Sequence, residues 1–117
     1  GAPLEYLGKS LVYEALNDPE EEAKCLELAL RKFPKHPQIP ILKEHIVHRM
    51  HESSLNNREA AYRIILLALR HIPDLLENPD TKILIQSLQN NLEPLPFIES
   101  CSDTLSLMAI QLAFWLK

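Results

Sequence analysis

The sequence predicts an all-α fold of three stacked antiparallel helix pairs, about six helices in all. Three observations lead there. Apolar residues recur at i, i+3, i+4 spacing along most of the chain, and no segment sustains the period-two alternation of a half-buried strand. Prolines stand at 3, 19, 34, 37, 40, 73, 79, 94 and 96, between the periodic runs, where they read as helix boundaries. A seven-residue word appears twice, "LALRKFP" at 28–34 and "LALRHIP" at 67–73, and a repeat on that scale is the mark of a stacked architecture.

Composition agrees. The 117 residues are 46% hydrophobic and 24% charged, with 2 Gly and 9 Pro, a globular and helix-favouring balance. The net charge of −4 argues against broad binding to a nucleic-acid backbone, which needs a basic surface. Cys25 and Cys101 lack metal-ligand spacing and read as reduced thiols, so an intracellular protein is expected, nuclear or cytoplasmic. No apolar run is long enough for a transmembrane helix. The chain lacks an initiator Met, and the expectation is one domain over 1–117, a fragment of a larger protein.

The first helix is predicted from about Leu4 to Asn17, with Leu4, Leu7, Leu11, Val12, Ala15 and Leu16 as its apolar stripe. Asp18 is the expected N-cap of the second, with Pro19 in its first turn. Glu20, Glu21 and Glu22 follow where the helix dipole favours negative charge, and they read as a solvated helix start. Ala23, Leu26, Leu30 and Phe33 make the stripe of this helix, flanked by Cys25 and Ala29. A third helix is expected from about Gln38 to Ser54, with Ile39, Leu42, Ile46, Met50 and Ser53 on one face. The fourth, about Asn57 to Ile72, is apolar nearly all round, which predicts a central, buried position, with Leu66 standing where the second helix carries an exposed Glu27. A fifth is expected from about Asp80 to Asn91, capped by Asn78-Pro79. "LEPLP" at 92–96 breaks the chain, and a sixth helix starts near Ser100 or Ser102.

A shift of 39 aligns Glu20 with Glu59, Leu28-Ala29-Leu30-Arg31 with Leu67-Ala68-Leu69-Arg70, and Pro34, Pro40 and Lys43 with Pro73, Pro79 and Lys82. Leu7, Ile46 and Ile85 fall in the same register. The units are about 3–36, 37–76 and 77–117. One helix pair cannot bury its own apolar face, so neighbours must stack. In the shared word the alanine allows close helix approach, the leucines pack on neighbours, the arginine sits near the helix end and the proline turns the chain.

Ala61, Ile65, Ala68 and Pro73 keep the Ala-x3-Phe-x2-Ala-x4-Pro spacing of the second helix in tetratricopeptide repeats, with Ile for Phe. Glu22, Leu26, Ala29 and Pro34 keep it without the first Ala. Tyr6, Ser10 and Tyr13 fall at three first-helix places of that pattern. The Leu-Gly pair is out of register, the third helix lacks the aromatics, and the third unit lacks the word. The period of 39 exceeds the family's 34 or so. The chain thus resembles divergent tetratricopeptide, half-tetratricopeptide or HEAT-like repeats over residues 4–90. That resemblance implies a short right-handed α-solenoid that binds protein, a scaffold or adaptor within a complex.

On this reading the partner is another protein, presenting a helix or peptide to a groove lined by the first helix of each pair. Tyr13, Lys43, Val47, Met50 and His51 are the expected contacts. Two alternatives remain. The apolar C-terminal segment, with Phe114 and Trp115, would form a homodimer or pack as a cap. The basic corner of Arg31, Lys32, Lys35 and His36 would contact phosphate, including that of RNA or DNA. His45, His48 and His51 lie three apart but diverge around the helix axis, so a solvated face is expected and no metal. Ser53, Ser54, Ser100 and Ser102 have no nucleophile elbow and no base, and no glycine-rich phosphate loop exists. The expectation is no catalytic residue, no enzyme activity and no cofactor.

Overall fold

A computed structural model describes residues 2–90. The expected break at 92–96 and sixth helix lie outside them, as do Cys101, Phe114 and Trp115. Five α-helices follow in order: α1 (Pro3–Ala15), α2 (Pro19–Lys32), α3 (Ile39–Asn56), α4 (Arg58–His71) and α5 (Pro79–Asn90). A short 3-10 helix, Pro73–Glu77, precedes α5. It falls where only a turn was expected. The fold is all-α, and the described residues contain no strand.

The repeat is a geometric fact as well as a verbal one. α2 and α4 have equal lengths, 14 residues each, and start and stop in the same register. Asp18 accepts a hydrogen bond from the Glu21 N–H, and Asn57 accepts one from the Ala60 N–H. These equivalent N-caps satisfy donors the helix itself leaves open. At the other end the Phe33 and Ile72 N–H groups both donate to the alanine of the repeated word, Ala29 and Ala68. Pro34 and Pro73 then prevent continuation.

α1 ends differently. Asp18 N–H bonds to the Tyr13 carbonyl and Asn17 N–H to that of Glu14, a Schellman arrangement with Asn17 in the left-handed region at φ 56°. Asparagine tolerates that conformation better than most side-chain-bearing residues. The turn brings α2 back antiparallel to α1, so Tyr6 near the start of α1 meets Phe33 at the end of α2. Asn57, at the next such turn, donates to the Asn17 side chain at 2.8 Å and ties the two turns together.

The helices form two layers. α1, α3 and α5 lie side by side in one, and α2 and α4 in the other. The core fills the space between them with Leu26, Ala29 and Leu30 of α2, Leu42, Ile46 and Met50 of α3, Ile85 of α5, and nearly all of α4. Residues Ala60 to Leu69 of α4 are buried except Arg63, as its all-round apolar pattern requires. The α3 stripe Ile39, Leu42, Ile46, Met50 and Ser53 is buried throughout. Leu7, Ile46 and Ile85 all pack on the core from the same layer.

Three sequence expectations change. α1 buries Pro3 and Ser10 and half-buries Tyr6, Leu7, Tyr13 and Glu14, while Leu4, Leu11, Val12, Ala15 and Leu16 are exposed. Helix periodicity locates an apolar stripe but not which side the neighbours occupy, and α1 meets α2 and α3 with its other face. Leu28 is exposed although Leu67, its counterpart, is buried, because α4 has neighbours on more sides than α2. Glu27 is half-buried rather than exposed, held by Arg70 at 3.3 Å and facing His71 at 3.6 Å.

Candidate functional site

Two surfaces and one buried ionic cluster are built on this frame. The cluster centres on Arg49 of α3. Its side chain is 7% exposed and its guanidinium grips Glu22 of α2, Nε to Oε2 at 2.6 Å and Nη2 to Oε1 at 3.1 Å. Glu14 of α1 stands 3.0 Å from Nε and Glu52 3.4 Å from Nη1. The expectation that Glu22 is part of a solvated helix start is therefore corrected: its side chain is 1% exposed. A helix restart puts successive glutamates on different faces, and Glu22 takes the face that meets α3. Burial pushes its carboxyl above the usual carboxylate range, while hydrogen bonding to Arg49 pulls the other way. Arg49, Glu14 and Glu52 also line an open cavity of about 610 Å3, together with Asn17, Asn57, Arg58 and Glu59.

His45 sits beside this cluster. Its Nε2 is buried and has no hydrogen-bond partner among the described residues. Burial is the main cause that lowers its pKa from 6.5, with Arg49 and His48 acting in the same direction and Glu14 and Glu52 opposing. A folded-state pKa below the unfolded one means that the unfolded chain takes the proton first. Stability is therefore lost as pH falls below about 6.5. Urea midpoints at about pH 7.5 and about pH 5.5 should differ more for the native chain than for His45→Gln. An identical difference in both would show that His45 does not titrate in this way. His48 pairs instead with Glu52 at 3.1 Å, so the three histidines have three separate surroundings. The described residues hold no group of three metal-ligating side chains.

The second feature is the outer surface of the α1–α3–α5 layer. Of the large apolar side chains left exposed among the described residues, Leu4, Leu11 and Val12 lie on α1 and Leu16 on its C-cap. Ile41 and Leu55 lie on α3 and Ile83 on α5, against Leu28 on α2. Leu55 is 86% exposed and Leu16 68%. Between α3 and α5 a cavity of about 360 Å3 is lined by His51, Ser54, Leu55, Asp80, Ile83 and Leu84.

The residues expected to contact a partner separate on this surface. His51 is exposed and lines the α3–α5 cavity. Tyr13 and Lys43 are half-buried, and Val47 is half-buried against the core. Met50 is corrected: it is fully buried, because the i, i+4 step from Ile46 keeps it on the face turned to α4. Leu11, Val12, Ile41, Leu55 and Ile83 were missed as surface residues, since apolar side chains in a helical pattern read first as core.

The third feature is the corner where α2 ends. Arg31, Lys32 and Lys35 are exposed there and His36 is half-buried. Lys32 Nζ donates to the Tyr6 hydroxyl at 2.8 Å and lies 5.3 Å from the ring centroid. Lys9 of α1 stands 5.2 Å from the same centroid. Phe33 links Tyr6 to His36, with centroid distances of 6.1 and 5.9 Å. The geometry links Lys32 and, through Phe33, His36 to Tyr6 of α1, and adds Lys9.

The chain resembles part of a set of larger proteins. It is 52% identical over 120 residues to the serine/threonine-protein kinase PknD of Protochlamydia amoebophila, covering 98% of this chain and 12% of that protein. The PknD proteins of Chlamydia abortus and Chlamydia muridarum are 34% and 35% identical, over 97% and 98% of this chain and 13% of theirs. The chain thus spans about an eighth of the length of these curated relatives. No protein-family model and no solved structure matches it. The expectation of no enzyme is corrected by these relatives, whose name is that of a kinase. The sequence held no sign of it, because nothing in these 117 residues reads as a phosphate-binding loop or a catalytic base.

No helix among the described residues is long and apolar enough to cross a membrane. Cys25 is buried in α2, and burial pushes its thiol up, which makes it a poor nucleophile.

Proposed function

We propose that this chain is a protein-interaction and scaffold segment of a larger protein of the serine/threonine kinase kind, and that it docks a helix or extended peptide on the α1–α3–α5 layer. The observation that carries this reading is the placement of exposed apolar side chains: α1 turns Leu11 and Val12 outward, and α3 and α5 add Leu55 and Ile83 beside a cavity. Isolated exposed leucines need no explanation, but a concentration on one layer marks a contact surface. A stack of tetratricopeptide-like pairs supports the same role, since its first helices line the binding face.

The test is capture from a lysate with the 117-residue chain as bait. Leu11→Glu with Val12→Glu, and separately Leu55→Glu with Ile83→Glu, should lose partners that the native chain retains while leaving the helical circular dichroism signal unchanged. Retention of the same partners by both variants would remove this surface from consideration.

A further inference from the structure

We propose that the corner formed by Lys9, Lys32, Tyr6 and His36 is a docking site for a phosphoserine or phosphothreonine side chain of a protein segment. Two ammonium groups from different helices converge on one aromatic ring, each within 5.3 Å of its centroid. Neither makes an ion pair with an acid among the described residues. Lys24, Arg49, Arg63 and Arg70 all have carboxylate partners, whereas Lys9, Arg31, Lys32 and Lys35 have none among the described residues, and Glu5 is the single acid in the first turn of α1. The antiparallel turn explains the separation. It places the end of α2 beside the start of α1, and the glutamate-rich start of α2 beside Glu14 at the far end. A chain of net charge −4 therefore carries a compact positive corner.

The donors suit one dianion. Lys32 is oriented by the Tyr6 hydroxyl at 2.8 Å. His36 Nδ1 accepts the Gln38 N–H at 3.1 Å, which leaves its other nitrogen as the N–H donor of the neutral ring. Arg31 and Lys35 are exposed sequence neighbours of these groups. A phosphorylated side chain brings nearly two negative charges and three strong acceptors, and charge-assisted bonds to ammonium groups favour it over a carboxylate. Nucleic acid fits less well. It needs a longer basic track and a free aromatic face for stacking, and the Tyr6 ring already meets Lys9 and Phe33. Phosphoserine and phosphothreonine are what a serine/threonine kinase makes, so this inference rests on the reading of the chain as an interaction segment of such a protein.

The experiment uses immobilised degenerate peptide libraries with a fixed phosphoserine or phosphothreonine, and the same libraries after phosphatase treatment. The 117-residue chain should be retained by the phosphorylated libraries alone. Lys9→Glu with Lys32→Glu should weaken retention roughly tenfold or more, the loss of two charge-assisted bonds, and Lys82→Glu on α5 should not. Lys9→Arg with Lys32→Arg should keep it. Equal retention with and without phosphate, retention unchanged in the double glutamate variant, or displacement by single-stranded RNA at lower concentration than by phosphopeptide would each overturn the assignment. The Leu11→Glu, Val12→Glu variant should still bind the phosphorylated libraries, so failure of the apolar surface and failure of this corner are read separately.

Discussion

Replacing Arg49 by leucine is expected to destabilise the fold by about 3–5 kcal/mol, the cost of leaving a buried charge without its partner. Glu22 is 1% exposed and would lose both hydrogen bonds of the guanidinium. Glu14 and Glu52, with side chains 31% and 41% exposed, keep access to water and suffer less. The double replacement Arg49→Leu with Glu22→Leu should recover most of the loss, because two apolar side chains facing each other need no compensation. A urea denaturation cycle over the two singles and the double measures this. If the double were as unstable as Arg49→Leu, the packing of the arginine stem would be the source of its value, and the ion pair would not.

The same variant has a predicted pH signature. Burial already raises the Glu22 pKa above 4.5, and removing Arg49 raises it further. A carboxyl whose folded pKa lies above its unfolded value holds its proton better in the folded state. Acidification through that folded pKa towards 4.5 therefore adds stability. The defect of Arg49→Leu should shrink as pH falls in that range and be largest at neutral pH.

Ile65→Ala should cost about 2–5 kcal/mol, the range for removing a buried aliphatic side chain and leaving a cavity. Ile65 is fully buried on α4 and lies in the main cluster with Leu26, its counterpart on α2, and with Ile46 and Met50 of α3. Because α4 has neighbours on several sides, the hole cannot be closed by moving one helix. Leu55→Ala, at 86% exposed, should stay within about 0.5 kcal/mol. Thermal unfolding of the two variants checks the contrast, and equal midpoints would mean that α4 is not the centre of the core.

Much of the fold was legible in the residues. The capping side chains Asp18 and Asn57, the prolines after each copy of the word and the α3 stripe are local signals, and local signals fix helix bounds and one face. α4 could be placed centrally because its sequence between Ala60 and Leu69 is apolar nearly all round, with Arg63 the charged exception. The candidate sites were legible in a different way. Arg31, Lys32, Lys35 and His36 are close in sequence and so were visible as a group. Lys9 and Tyr6 join them only through the antiparallel turn. Arg49 was passed over because a charged residue between Ile46 and Met50 looks like an edge position, and nothing local says that Glu22 waits opposite it.

By itself, the sequence determined that this protein is all-α: residues that cap, pack and turn recur with a fixed offset, and each acts within a few positions of itself. The tertiary structure alone decided which side of α1 is core, that Leu11 and Val12 face outward, that Glu22 and Arg49 are buried together, and that two lysines share one tyrosine ring. The reason is physical. Burial and pairing between helices depend on the direction from which a neighbour approaches, and a one-dimensional period specifies a stripe without specifying what lies against it.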